Sequence, residues 1–165
     1  MKAIVVYESH WGNTAAVARA IAEGIGPEAT ALSTAEASGA VLAGAGLIVA
    51  GAPLLGFSLP TESMVKSLAS NQAKDPTPPD LSHPAMRTWL EGLARGSGRA
   101  AAFETRIWWS PGSAAKAILR LLEGAGYRAA AKPEKFIVQG KYGPLREGEL
   151  ARAKQWGAEL ARSMG

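Results

Sequence analysis

Residues 2–14 read KAIVVYESHWGNT, and much of the architecture can be inferred from them. Ala3–Tyr7 is a continuous apolar run rich in β-branched residues, which is typical of a strand buried on both faces. Small, hydroxyl and amide side chains follow, and then an alanine-rich segment with apolar residues at helical spacing. A doubly buried strand that leads into a helix predicts a parallel sheet with helices on each side.

Strand and helix alternate along the rest of the chain. Strands are predicted at residues 3–7, 28–33, 46–52, 100–103 and 136–138. Helices are predicted at residues 15–25, 61–70, 84–95, 111–124 and 147–163. The fourth helix is placed by Ser110-Pro111, a capping hydroxyl followed by a proline at the first helical position. Residues 71–84 contain four prolines and are predicted to form an irregular surface loop.

This order of elements indicates a doubly wound α/β fold, with residues 1–165 as a single domain. In such sheets ligands bind beyond the carboxyl ends of the strands. The loops after the first, third and fourth strands, residues 8–14, 53–60 and 104–110, are therefore the predicted site.

The composition excludes several classes of function. The 165 residues include no cysteine, which excludes disulfides, thiol catalysis, zinc ribbons and iron–sulfur clusters. The two histidines, His10 and His83, do not have the spacing of metal ligands. The formal net charge is +4, but the basic residues are dispersed with no run of three. No nucleic-acid partner is predicted, because dispersed charge does not follow a phosphate backbone.

No membrane span and no secretory leader are predicted. Residues 37–61 carry no charge, yet five glycines and two prolines interrupt them. A buried strand followed by a loop explains this segment better than a transmembrane helix does. The N-terminal residues lack the long apolar segment and cleavage site of a secretory signal, so we expect a cytoplasmic location.

The first loop has the chemistry of an anion site. The start of the following helix offers unpaired N–H groups and a partial positive charge. Ser9 and Thr14 add hydroxyl donors, and Gly12 lets the backbone approach a ligand. Because the loop holds no lysine or arginine, we expect neutral donors to bind a monoester phosphate rather than a triphosphate. The alternative is that Ser9 and Asn13 only cap the helix.

Three segments resemble the flavodoxin family. Tyr-x-Ser-x-Trp-Gly-Asn-Thr at positions 7–14, directly after the first strand, resembles the phosphate-binding loop of that family. Val49-Ala50-Gly51-Ala52-Pro53 with residues 54–60 resembles its first isoalloxazine loop, and residues 136–156 resemble the end of short flavodoxin-like domains. Neither Gly-x-x-x-x-Gly-Lys nor Gly-x-Gly-x-x-Gly is present.

The resemblance implies a three-layer sandwich with a five-stranded parallel sheet in the order 2-1-3-4-5, and FMN as the cofactor. It implies that residues 9–14 surround the FMN phosphate, His10 through its backbone N–H rather than its imidazole. Together with the second and third loops, the predicted cofactor-binding residues are Ser9, His10, Trp11, Gly12, Asn13, Thr14, Pro53, Leu54, Leu55, Gly56, Phe57, Glu104, Thr105, Arg106, Trp108 and Trp109. No catalytic side chain and no metal ligand is predicted.

The second and third loops carry residues suited to a flat aromatic ring. Apolar walls are offered by Leu54, Leu55 and Phe57. Gly56 either permits the peptide rearrangement that flavodoxins show on reduction or only shapes a turn. Trp108 or Trp109 stacks on the ring, or both are core or interface residues.

The third loop departs from the flavodoxin pattern, which is acidic and contains glycine there. Arg106 is unexpected at this place. A cation near the flavin would raise its reduction potential, but pairing with Glu104 or with solvent is the ordinary role of a single arginine. Glu8 is expected to turn away from a phosphate that it would repel. His83 is expected to face water, and no catalytic triad is predicted.

Three functions remain open at this point. The first is electron transfer between an FMN-binding protein and a redox partner protein or small-molecule acceptor. The second is an FMN-dependent NAD(P)H oxidoreductase of the quinone-reductase type, and the third is a flavodoxin-like interaction domain that no longer binds flavin. The positive net charge differs from the strongly acidic flavodoxin carriers, and the oligomeric state stays open.

Overall fold

The apolar run at the N-terminus forms β1 (Ala3–Tyr7), an inner strand of the sheet in this computed structural model. It lies between β2 (Ala29–Ser33) and β3 (Leu47–Pro53), parallel to both. Its first four residues are buried, as expected for a strand covered on both faces. The structure describes residues 1–70 and 77–165, so the first six residues of the predicted proline-rich loop lie outside the described residues.

The far side of the sheet is built on β4 (Arg99–Ile107), which pairs with β3. The short β5 (Arg128–Ala129) pairs with the start of β4, and β6 (Glu134–Val138) pairs with its end. The predicted order 2-1-3-4-5 is confirmed, and all the pairs are parallel. Two strands fill the fifth position where one was predicted, because four residues, 130–133, lie between them opposite only two residues of β4, 101 and 102, and so interrupt the pairing.

Residues 1–70 and 77–165 contain six helices, of which the first five lie between strands and the sixth follows the last strand. They are α1 (Asn13–Ile25), α2 (Gly39–Leu42), α3 (Glu62–Ser70), α4 (Met86–Glu91), α5 (Ala114–Gly124) and α6 (Glu149–Met164). The prediction that Ser110-Pro111 opens the fourth predicted helix is wrong. Ser113 is the N-cap of α5, and its hydroxyl accepts from the Lys116 N–H at 3.2 Å. Gly112, with φ of +85°, has a left-handed conformation that no helix can include.

Successive strand residues contribute to two separate cores. Ile4, Val6 and Ile48 pack on the side that holds α4 and α5, whereas Val5 and Val49 pack on the side of α1 and α6. This alternation is the two-residue period of a strand, and it produces the predicted three layers of helix, sheet and helix. Within residues 1–70 and 77–165, no helix has the length and apolar character needed to cross a membrane.

Candidate functional site

The strands β1, β3, β4 and β6 run parallel, so the loops that follow them meet at one edge of the sheet. A cavity of about 110 Å³ lies between these loops. It is lined by Ser9, His10, Trp11, Asn13, Thr14, Pro53, Leu54, Leu55, Thr105, Arg106, Ile107, Val138 and Lys141. The three predicted loops therefore converge on one site, and a fourth segment joins them.

The first loop enters α1 through a left-handed glycine. Gly12 has φ of +91°, a conformation that glycine adopts without steric cost, and its N–H donates to the Ser9 hydroxyl at 3.1 Å. In the described part of the chain no side chain caps α1. Neither Ser9 nor Asn13 therefore has the capping role that was the alternative. The first-turn amides, which have no partner within a helix, are open to a ligand.

Two threonine hydroxyls join the first and third loops. Thr14 and Thr105 lie on facing elements, both are buried, and their hydroxyl oxygens are 2.7 Å apart. One hydroxyl donates to the other, so the proton of the accepting hydroxyl stays available for a further bond. Because both residues line the cavity, this second donor can serve an anion there.

Residues 139–148, which follow β6, form a fourth wall that the sequence analysis did not assign to the site. The Asn13 side-chain amide donates to the Tyr142 carbonyl at 3.1 Å, and the rings of Trp11 and Tyr142 meet edge to face at 5.1 Å. The Lys141 ammonium lies 5.5 Å from the centre of each ring. The sequence does carry a signal that could have assigned this segment to the site. Like the other three loops, it follows the carboxyl end of a parallel strand.

A buried carboxylate anchors this fourth wall to the sheet. Glu149, at the first position of α6, accepts from the Ile137 N–H at 2.7 Å and pairs with Arg152 at 2.9 Å. Burial alone would raise the pKa of Glu149, but the bonds from Arg152 and from the Ile137 N–H hold it below its ordinary value. The carboxylate is thereby kept charged where it joins β6 to α6.

The second loop is tied to the third by backbone hydrogen bonds. The Leu54 N–H donates to the Thr105 carbonyl at 2.9 Å, and the Ser113 N–H donates to the Phe57 carbonyl at 3.1 Å. Gly56 has φ of +71°, so it shapes a left-handed turn. Phe57 itself is 74% exposed, next to the residues of the same loop that line the cavity.

The two tryptophans of the third loop are surface residues. Trp108 is 71% exposed and Trp109 is 65% exposed, so the alternative that both belong to the core is wrong. β4 continues to Ile107, beyond the predicted end at residue 103, because its last five residues pair with β6. The tryptophans therefore stand immediately after the strand, on the turn that leads to α5.

Glu104 and Arg106 share one face of β4, since strand residues two apart point to the same side. The Arg106 guanidinium pairs with the Glu104 carboxylate at 3.1 Å, which confirms the predicted pairing. Glu104 also accepts from the Ser113 hydroxyl at 2.8 Å and from the Ala115 N–H at 3.1 Å. Arg106 lines the cavity, whereas the Glu104 carboxylate lies outside its lining and holds the third loop on α5.

His10 is bound through its ring, which the sequence analysis did not foresee. Its Nε2 lies 2.8 Å from the Glu8 carboxylate and its Nδ1 lies 3.0 Å from the Asp80 carbonyl oxygen. An acceptor faces each nitrogen, an arrangement that favours the doubly protonated, cationic imidazole. Both ring nitrogens of His10 are thus used inside the protein, and the expectation that neutral donors bind an anion in this loop stays a prediction. Glu8 also accepts from the Met86 N–H at 2.8 Å and lies outside the cavity lining, as predicted.

His83 does not face water, contrary to the prediction. Its side chain is 4% exposed, and its Nε2 accepts from the Ser9 N–H at 3.1 Å. One of the amides that the sequence assigned to a phosphate is thus used inside the protein. The sequence could not indicate this bond, because its partners are 74 positions apart.

The pKa values of the two buried imidazoles are shifted in opposite directions. Burial alone would lower the pKa of His10, but the hydrogen bonds with Glu8 and Asp80 outweigh it and raise the pKa above 6.5. Burial lowers the pKa of His83 below 6.5, and the charge of His10 lowers it further. The geometry and the directions of the two pKa shifts therefore both favour protonation of His10 before His83.

No family model and no curated protein matches the sequence. Solved structures match it over almost its whole length. A flavodoxin from the domain Archaea has 21% sequence identity and a TM-score of 0.68, with 99% of both chains covered. Oxidised flavodoxin 1 from Bacillus cereus has 17% identity and a TM-score of 0.68, with 98% of both chains covered. The chain has the flavodoxin fold.

The flavodoxin fold also matches part of a longer protein. The rubredoxin oxygen:oxidoreductase from Desulfovibrio gigas has 20% identity and a TM-score of 0.64 over 99% of this chain and 36% of its own. The fold expected from the three sequence segments is thereby confirmed. Among residues 1–70 and 77–165, no group of three or more His, Asp or Glu side chains is placed to hold a metal ion.

Proposed function

We propose that this protein binds FMN at the carboxyl edge of its sheet and acts in electron transfer. One observation carries the proposal. The open start of α1, with the hydroxyls of Ser9 and Thr14, borders the same cavity as the loops that carry the exposed aromatic residues. An anion cradle beside an aromatic surface, in a flavodoxin fold, is the combination that a phosphorylated flavin requires.

The phosphate part of FMN fits the first loop. A volume of about 110 Å³ is far below the roughly 300 Å³ or more of a whole small-molecule site, so it suits a phosphate group and not the entire cofactor. The open amides of the first turn and the free proton of the Thr14–Thr105 pair supply donors. Lys141 and Arg106 add positive charge to the cavity lining.

The ring part of FMN fits the surface outside the cavity. Phe57, Trp108 and Trp109 are exposed on two loops that the Ser113–Phe57 backbone bond holds together. Large exposed aromatic side chains are uncommon on a free surface and are favourable where a flat apolar plate covers them. These residues bind and orient the ring, and they exclude water from it.

A bound flavin supplies the electron-accepting and electron-donating chemistry. The protein then needs no catalytic side chain of its own. Its side chains hold the phosphate, fix the ring and set the charge around it.

The proposal is tested by cofactor binding. Purified protein titrated with FMN and with riboflavin, followed by flavin fluorescence quenching, is expected to bind FMN more tightly. Thr14→Val keeps the shape but removes the hydroxyl donor, so FMN affinity should fall roughly fivefold to tenfold while riboflavin affinity stays the same. Thr30→Val, on an exposed strand position, is the matched control and should change neither affinity.

The same preparation separates the alternatives. Protein that binds neither flavin would overturn the proposal and favour an interaction domain. Rapid NAD(P)H oxidation by the FMN-loaded protein with a quinone acceptor would overturn electron transfer between proteins and favour the oxidoreductase. Equal weakening of FMN and riboflavin by Thr14→Val would remove the phosphate role from the first loop.

A further inference from the structure

A second segment lies over the first loop and holds it. We call residues 77–83 the clasp. The Asp80 N–H donates to the His10 carbonyl at 2.8 Å, and the Trp11 indole N–H donates to the Thr77 carbonyl at 3.0 Å. The Asp80 carbonyl also contacts the ring of His10, and the ring of His83 accepts from the Ser9 N–H. The clasp therefore contacts three consecutive residues of the loop.

The bond between His83 and Ser9 depends on the protonation of one atom. Nε2 of His83 accepts the Ser9 N–H, so this nitrogen carries no proton. The proton of the neutral imidazole is then on Nδ1, which lies 4.0 Å from the Asp80 carboxylate. A proton added to Nε2 would remove the acceptor and leave the buried Ser9 amide without a partner.

The neighbouring ring of His10 makes protonation of His83 less favourable in the folded protein. The imidazoles of His10 and His83 are stacked, with centres 5.5 Å apart and planes at 26°. Protonation is favoured at His10 first, so a proton added to His83 as well would place two cations in one buried stack. The clasp would be pushed away from the loop that it holds.

We propose that His83 is a positioning residue for the phosphate loop: its neutral imidazole fixes Ser9 in the binding form, and protonation of Nε2 releases the loop. The inference rests on the proposed function, since the loop is taken to bind the FMN phosphate. FMN is then held at neutral pH and released as the pH falls.

The charged groups around His83 support a transition in the acidic range. From the elements packed against it, the groups that face it are His10, Glu8, Asp80, Glu62, Tyr7, Arg19 and Glu36. Burial and the charge of His10 lower the pKa of His83, while Asp80, Glu8 and Glu62 oppose that shift without reversing it. The ring therefore stays neutral at physiological pH and takes up a proton only below 6.5.

The first experiment uses the protein without flavin, so it does not depend on the proposed function. The ring nitrogens of His83 and the backbone amide of Ser9 are followed by nitrogen-15 NMR from about pH 8 to about pH 5. We expect Nε2 of His83 to titrate below 6.5 and the Ser9 amide resonance to move with the same midpoint. A Ser9 amide that does not follow the titration of His83 would overturn the inference.

The second experiment measures FMN affinity at about pH 7.5 and about pH 5 for the unsubstituted protein and for His83→Gln. The glutamine oxygen can accept the Ser9 N–H but cannot take up a proton. The unsubstituted protein should lose roughly tenfold more affinity than His83→Gln between the two pH values. The titration of the FMN phosphate is common to both proteins and cancels in this comparison.

A third protein, His83→Leu, completes the test. It has no acceptor for Ser9, so it should bind FMN more weakly at both pH values, with the shallow pH dependence of His83→Gln. The same pH dependence in all three proteins would overturn the role of His83. If none binds FMN at neutral pH, the proposed function fails, and the NMR titration still decides whether His83 controls Ser9.

Discussion

The candidate site has two ends, named here for the parts of FMN that they are proposed to bind. At the phosphate end, residues 8–14 are held by buried polar groups, whereas at the ring end, residues 54–58 and 107–113, the loops carry exposed aromatic side chains. Glu8, His10 and His83 are all buried or nearly so, and each has a hydrogen-bond partner. Phe57 and Trp108 are more than two-thirds exposed. The phosphate end is thus fixed before any ligand arrives, while the ring end offers a surface that a ligand must cover.

The two ends of the site are held rigid by different kinds of contact. The phosphate end is fixed by side chains that contact its own loop directly. The ring end is fixed from beneath, through Glu104 in β4 and the backbone bond between Ser113 and Phe57. Substitutions beneath the ring end should therefore affect folding most, and substitutions on its surface should affect it least.

The largest effect is expected for Glu104→Ala. The substitution leaves Arg106, the Ser113 hydroxyl and the Ala115 N–H without their buried acceptor. Removing one partner of a buried ion pair costs about 3–5 kcal/mol, and the free energy of unfolding in urea should fall by this amount. Glu123→Ala, on the exposed side of α5, should change it by less than about 0.5 kcal/mol. Similar losses for both variants would show that Glu104 does not hold the loop.

The next effect compares one glycine from each end. A Cβ at Gly112 would lie 1.9 Å from the Phe57 carbonyl oxygen, whereas a Cβ at Gly12 would meet no atom within 4 Å. Gly112→Ala combines the cost of positive φ with a steric clash and should lose about 3 kcal/mol of unfolding free energy. Gly12→Ala has only the cost of positive φ and should lose about 1 kcal/mol. Equal losses, measured in parallel urea titrations, would contradict the packing of the second loop on the third.

A smaller effect should appear only at the phosphate end, as a dependence of stability on pH. The pKa of His10 is raised in the folded protein, so its contribution is complete below 6.5 and is lost as the pH rises through the folded value. The stability difference between the unsubstituted protein and His10→Gln should be about 1–2 kcal/mol near pH 6 and should shrink towards pH 9. Trp109→Leu, at the ring end, should give no such trend. A difference that grows with rising pH would mean that His10 is neutral.

The features of the two ends that depend on local sequence pattern could be predicted from the sequence. The strand at β1, the helix that follows it and the doubly wound α/β class follow from periodicity and from the rules of parallel sheets, whereas the strand order was implied by the resemblance to the flavodoxin family. The same rules predict Gly12 and Thr14 at the start of the first helix, where the structure has them. The exposed position of Trp108 stayed open, because tryptophan is found both in cores and on surfaces.

The contacts that hold each end could not be predicted, since they join polar groups far apart in the chain. Ser9 and His83 are separated by 74 positions, and Asn13 and Tyr142 by 129. At the ring end the cap of α5 was assigned to Ser110 instead of Ser113, because both serines precede an apolar helical segment and only the left-handed Gly112 distinguishes them. Packing of the whole chain decides which buried donor pairs with which acceptor. These pairs cannot be predicted from local patterns in a single sequence.

The smallest effect on folding, and the clearest separation of the two ends, is expected for the exposed tryptophans. Trp108→Leu and Trp109→Leu should each change the unfolding free energy by less than about 0.5 kcal/mol, because little of either ring is buried. At least one of them should weaken FMN and riboflavin alike by roughly tenfold, since ring contacts do not involve the phosphate. Thr14→Val should weaken FMN alone. If the tryptophan variants also discriminate between FMN and riboflavin, the site is not divided into a phosphate end and a ring end.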